Sequence, residues 1–150
     1  MSSFFAFLHH IAAFTVFAAL AVEFVLIKDE LSVKNARKIQ LADLAFGVSA
    51  GVVLVVGVLR VFFFEKGAAY YFHSVPFIAK VSLFALVGLL SIYPTVQFLS
   101  WRAPVKQGRT PSVDPGTLRT IRRLIHLELA CMVFLILFAA LMARGVGYFA

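Results

Sequence analysis

The sequence predicts an all-α integral membrane protein, a four-helix bundle running up-down-up-down, and three observations carry that expectation. Four separate stretches of mostly apolar residues reach the length of about 20 that a hydrocarbon core of about 30 Å demands of a helix. Hydrophobic residues make up 62% of the 150 and charged residues only 14%, against roughly 25% charged in soluble domains. The connections between the stretches are short, which favours antiparallel neighbours.

The first span, Phe4 to Ile27, is too long for the apolar core of a signal peptide. It has no basic segment ahead of it and carries Glu23 where a cleavage site would fall, so it reads as a retained anchor. The second span, Leu41 to Phe64, carries Gly47, Gly51 and Gly57, the first two at the GxxxG spacing that allows close backbone approach. Between it and the third span, the segment EKGAAYYFHS (Glu65 to Ser74) predicts an interfacial turn with Tyr70 and Tyr71 at the headgroup level. The third span, Val75 to Leu99, contains Pro94, which lacks a backbone donor and frees the carbonyl of Leu90. A kink is expected there, with the hydroxyls of Ser91 and Thr95 placed to re-satisfy the backbone. Gly108, Pro111, Pro115 and Gly116 mark a linker, Thr117 is a candidate cap, and the fourth span runs from Leu118 to Met142. Residues 1–150 form one transmembrane domain, without repeats or low-complexity tracts.

The net charge of +7 sits on a chain that is mostly hydrocarbon, so it reads as topology and not as a nucleic-acid footprint. Lys28, Lys34, Arg37 and Lys38 follow the first span, and Arg102, Lys106, Arg109, Arg119, Arg122 and Arg123 lie between the third and fourth. Ten of the 14 basic residues thus occupy two alternate connections. The positive-inside rule makes both cytoplasmic and puts both termini outside, as a multi-pass protein of the bacterial inner membrane. The lone Cys131 closes no internal disulfide. No Gly-rich phosphate loop, HExxH, nucleophile elbow or EF-hand occurs, so hydrolase chemistry has no support.

Ionisable residues at bilayer depth are functional candidates by default, because they are expensive there. His9, His10, Arg60 and Lys80 fall in the outer third of the bundle; Glu23, Asp43, His126 and Glu128 fall in the inner third. At about 100° per residue, His9 and Glu23 share one stripe with Ala12, Ala13, Val16 and Leu20, and His10 is turned away by about 100°. Lys80, Phe84, Val87, Ser91 and Pro94 form a stripe on the third span, and Glu128 points nearly opposite to His126 on the fourth. Structural readings stand beside the functional ones. Arg60 and Lys80 lie near enough to a helix end to reach headgroups, and Glu23 and Asp43 are placed to pair with Arg37, Arg122 or Arg123 as a clamp. His73 reads as a solvated turn residue, and His126 as interfacial.

A histidine among Phe-rich helices, with two cations at similar depth, matches the needs of haem b: an apolar slot, an axial imidazole and partners for the propionates. His9 is the candidate iron ligand, and His10, Arg60 and Lys80 are the further haem-binding candidates. Two cations and an imidazole at one depth call for an anion, since the nearest acid, Glu65, lies in the outer turn. The reading is a membrane redox or electron-transfer protein acting on a porphyrin or quinone-like partner. Two alternatives stay open. One is a copper or other cation transport protein with Glu23, Asp43 and Glu128 as a cation site, although Cys131, Met132 and Met142 form no ligand repeat for Cu(I). The other is a non-catalytic subunit that assembles with itself, as a homo-oligomer, or with a larger complex through its glycine and phenylalanine faces.

The run GVLRVFFFEKGAAYYFHSVPFIAKVSLF, with Leu8-His9 before it and HLELA and LMARG after it, resembles a family of bacterial four-helix inner-membrane proteins of unknown function over nearly the whole length. More distantly the chain looks like the superfamily of CopD copper-resistance proteins and HemJ-type protoporphyrinogen oxidases. That resemblance implies a b-haem site at His9 in FLHHI and a role for Lys80 in FIAKVSLF. It departs from the HemJ-type pattern at the fourth span, where Ile125, His126, Leu127 and Glu128 stand in place of an Asn-Glu-x-Pro-like run.

Overall fold

A computed structural model describes residues 2–64 and 68–149. Among these, the α-helices are α1 (Ser2–Leu26), α2 (Val33–Leu59), α3 (Ala68–Phe72), α4 (Val75–Ser100), α5 (Arg102–Lys106) and α6 (Pro115–Ala143), and α2 runs on into a π-helical turn, Arg60–Phe64. The spans α1, α2, α4 and α6 are each long and apolar enough to cross a membrane, so the all-α bundle is as the sequence predicts. The 25 residues of α1 extend about 37 Å at 1.5 Å each.

The helix ends differ from the predicted ones for local reasons. α2 starts at Val33 because Ser32 caps it, its hydroxyl accepting the Asn35 N–H at 3.2 Å, while the Asn35 side chain donates to the Glu30 carbonyl at 3.1 Å. Lys34, Arg37 and Lys38 therefore ride on a helix and not in a linker. α6 starts at Pro115, and its cap is Asp114, not Thr117: the carboxylate accepts the N–H groups of Gly116 at 2.8 Å and Thr117 at 3.2 Å. Pro115 stands at the position where a missing N–H breaks no helical bond. α4 continues through Pro94, but the nearby hydroxyls do not serve Leu90. Ser91 donates to the Gly88 carbonyl at 2.8 Å and Thr95 to the Asp43 carboxylate at 2.6 Å.

α1 packs along α2, and α4 along α6, as two antiparallel hairpins; contact between the hairpins is thinner, mainly α1 on α6 and less of α2 on α4. The bundle is thus two hairpins joined along a seam. In lipid that seam is held by close packing and polar bonds, since hydrocarbon gives apolar helices no incentive to leave it. A continuous core fills the end bearing the basic segments, with Ile27, Ala36, Ile39, Phe98, Trp101, Val105, Ile121 and Ile125 all buried, and reaches Val16, Val87 and Met132. Ala12, Val56 and Phe77, nearer the termini, are buried but stand apart from that core. Besides the Thr95–Asp43 bond, hydrogen bonds among the described residues cross the seam at the basic end where Gln40 Nε2 donates to the Phe98 carbonyl at 2.8 Å and Arg122 Nε to the Ile27 carbonyl at 2.9 Å. Both acceptors are carbonyls at helix ends, where the helical ladder leaves acceptor capacity to spare.

At the opposite end the chain after α6 turns back on the α3–α4 junction. Val75 N–H donates to Gly147, Phe149 N–H to His73, and Ser74 and Tyr148 form an antiparallel bridge. Tyr148 stacks on Tyr70 with ring centres 4.9 Å apart. Gly145 and Gly147 make the reversal with φ of 69° and 76°. Of the predicted interfacial turn, residues 65–67 lie outside the described residues, and the rest is α3 and this bridge. The GxxxG pair is not a close approach: side chains placed at Gly47 or Gly51 would meet nothing within 4 Å, so these small residues line the outside of the chain.

Candidate functional site

The seam holds two polar clusters, one toward each end. Nearer the termini, His9 of α1, Arg60 at the start of the π-helical turn and Lys80 of α4 come together. His9 stands at the head of the stripe Ala12, Val16, Leu20 and Glu23, whose members are all buried, in the phase that 100° per residue requires. The imidazole lies against α2 where Gly57 leaves room; a Cβ at that glycine would stand 3.3 Å from Cε1 and 3.7 Å from Nδ1. The Nδ1 atom of the ring is buried with no partner. Among the described residues, the groups close enough to act on it electrostatically are Lys80, Arg60 and His10, every one basic.

Arg60 is delivered by a device the sequence did not reveal. A π-helical turn has a wider repeat than an α-helix and so redirects the residues that follow it; such turns recur at functional sites. Lys80 has its Nζ 5.5 Å from the centre of the Phe77 ring, within cation–π reach, and has no carboxylate partner among the described residues. Glu65 lies outside those residues. His10, grouped with this site from sequence, is exposed, its Nδ1 2.6 Å from the Ala6 carbonyl of its own helix. Its ring meets His9 edge-on at 6.2 Å. His73 is exposed on the turn, as expected, with Nδ1 2.7 Å from the Ala69 carbonyl.

Toward the basic end, Glu23 of α1, Asp43 of α2 and Glu128 of α6 lie within electrostatic reach of one another. Glu23 is 2% exposed and Glu128 1%. Oε1 of each is buried without a hydrogen-bond partner. Asp43 is half-buried, accepts the Thr95 hydroxyl across the seam at 2.6 Å, and feels the charge of Arg102. The expected clamp is not built as the sequence suggested. Arg122 serves the Ile27 carbonyl, Arg37 and Arg123 are exposed, and no ion pair joins these arginines to Glu23 or Asp43 among the described residues. His126 is exposed beside Phe24, with ring centres 5.7 Å apart, on the side of α6 away from Glu128. Among the described residues no group of three or more His, Cys, Asp and Glu side chains is arranged to hold a metal ion, so the copper alternative gains no ligand set.

Thr95 as the partner of Asp43, Gly57 as the wall behind His9 and the π-helical turn under Arg60 are the parts sequence reasoning missed. Thr95 is legible in sequence only as a hydroxyl beside Pro94, and Gly57 only as the third glycine of a span whose GxxxG spacing points to the other two. Comparison with curated proteins and with solved structures gives no match. Residues 1–147 match the family described as "Predicted membrane protein (DUF2214)", and with four membrane-length apolar helices the chain belongs to that family of multi-pass membrane proteins.

Proposed function

We propose that this protein is a haem-b-binding redox or electron-transfer protein of the bacterial inner membrane, set with its basic end toward the cytoplasm and the His9 cluster toward the outer face. The His9 ring carries the reading. It is half-buried in the seam, lies against α2 at Gly57, has its Nδ1 unpartnered, and is joined by Lys80 and Arg60 from two further elements. An imidazole with an unpartnered nitrogen among apolar helices is the residue type that serves as an axial ligand. Cations beside it suit carboxylate substituents, since a charge-assisted hydrogen bond gains strength away from water. The continuous core stops short of His9, and the residues buried at its depth, Ala12, Val56 and Phe77, are apolar.

Haem, when bound, supplies reversible one-electron transfer. The chain's own residues have the remaining tasks: His9 would hold the iron, Lys80 and Arg60 would hold the propionates, and the apolar helices would keep water away. The distant likeness of FLHHI and FIAKVSLF to HemJ-type proteins supports the same two residues, and with them a porphyrin or quinone-like partner.

The test is the optical spectrum of the purified protein, oxidised and reduced. A Soret band with split visible bands is expected. His9→Ala should abolish or shift it, while Arg60→Ala and Lys80→Ala should weaken haem retention and move the midpoint potential without removing the axial ligand. A folded preparation that carries no haem after expression with ample haem supply, yet retains phospholipid, overturns the reading.

A further inference from the structure

The carboxyl cluster at the basic end raises a problem of charge that the His9 site does not address. Three carboxylates from three helices repel one another, and each loses hydration on burial, so three bare anions in the lipid-surrounded seam lack compensation. The cations on the neighbouring elements are exposed, placed elsewhere or act on Asp43 alone. Lys28, after α1, lies over the Phe24 ring at 3.6 Å. On α2, Arg37 and Lys38 are exposed. α4 contributes Thr95, a donor without charge. Arg102 of α5 is exposed and acts on Asp43. On α6, Arg122 serves the Ile27 carbonyl and His126 faces outward.

Arg102 and Thr95 thus account for Asp43, and Glu23 and Glu128 are left, almost completely buried, each with one oxygen facing no donor. A metal ion is a poor answer, because the side chains form no metal-holding group. A proton answers both needs. It removes the charge, and it turns a carboxylate, which only accepts, into a group that also donates a hydrogen bond. We propose that Glu23 and Glu128 form a proton-binding site in the seam between the hairpins, with Asp43, held by Thr95 at the less buried margin, as its link to the aqueous side at the basic end. The inference rests on the acid cluster alone and stands whether or not His9 binds haem.

Infrared spectroscopy of the full-length protein in phosphatidylcholine–phosphatidylglycerol vesicles tests it. At neutral pH the protein should show a protonated-carboxyl C=O band that shifts in D2O. That band should lose intensity in Glu23→Gln and in Glu128→Gln. In Asp43→Asn the band should persist while its deuterium shift develops several-fold more slowly. Absence of the band from the unmodified protein overturns the proposal, as does a band that both glutamine variants leave untouched. Unchanged exchange in Asp43→Asn overturns the link. Addition of sodium or magnesium chloride should leave thermal stability alone; a rise seen in the unmodified protein and lost in Glu128→Gln would identify a metal cation in place of the proton. If Glu23→Gln does not fold, the unmodified protein and Glu128→Gln decide the matter.

Discussion

His9 owes its setting to Gly57 as much as to its own helix. Gly57→Ala brings a methyl to 3.3 Å from Cε1, closer than side chains usually pack, so the ring must yield by a few tenths of an ångström; Gly51→Ala meets nothing within 4 Å. The ring-nitrogen NMR resonances of selectively labelled His9 should therefore move in Gly57→Ala and hold still in Gly51→Ala. Gly57→Val, with more atoms to place, should destabilise by about 1–3 kcal/mol through overpacking. The Thr95–Asp43 bond allows a second comparison. Thr95→Val removes a hydrogen bond that crosses the seam and should lower stability by about 0.6 kcal/mol, with about 1.7 as the upper end known for such bonds in membranes. Ser100→Ala, whose hydroxyl bonds the Gln97 carbonyl within its own turn, should change the thermal midpoint far less. Equal effects of the two would show that the cross-seam bond adds nothing.

Two chain segments that join helices have structure of their own. Asp114→Ala should cost about 1 kcal/mol as a lost N-cap, measured in a denaturant series in detergent, whereas Thr117→Ala should cost little. Gly147→Ala combines a φ of 76° with a methyl 2.9 Å from Pro76 Cδ. Beyond the roughly 1–2 kcal/mol of left-handed strain, it should release the tail from Ser74 and speed proteolysis after residue 143. Gly108→Ala, with φ of 71° but open space around it, should show the strain alone and leave the tail docked. These segments mark the limit of what the chain reveals unfolded. Four spans were legible because apolar length is a property of each segment taken singly, and the His9–Glu23 stripe because helical phase is fixed along one helix. How far each helix is rotated against its neighbours is not written in any one of them. That is why the spacing of Gly47 and Gly51 points to a close approach that the chain does not make, why Gly57 carries no sign of its place behind His9, and why Thr95 reads as a partner of the backbone and not of Asp43. The apolar run points to Thr117 as the cap because it begins at Leu118, three residues after the helix itself starts at Pro115.

Taken whole, the molecule has one end fixed by the continuous core and cross-seam bonds, and another end closed by the returning tail. The proposed orientation is open to thiol labelling in a Cys131→Ser background. Ser3→Cys or His73→Cys should react with an impermeant reagent in intact cells, and Ser112→Cys only after the membrane is opened; the reverse order inverts the topology. Ser74, at 4% exposure, is a poor reporter despite its place in the turn. The division into two hairpins also bears on how the protein is made. Translation delivers α1 and α2 first, with His9, Glu23, Asp43 and Arg60 facing a surface that α4 and α6 have yet to cover. During that interval the nascent half carries ionisable groups against lipid, a condition that membrane quality control is suited to detect. A fragment of residues 1–66 made alone should insert and then be degraded quickly, and simultaneous synthesis of residues 67–150 should rescue it, because the second half brings the surfaces that shelter those groups. The seam that houses the candidate sites is thus also the checkpoint at which a half-finished copy is told from a complete one.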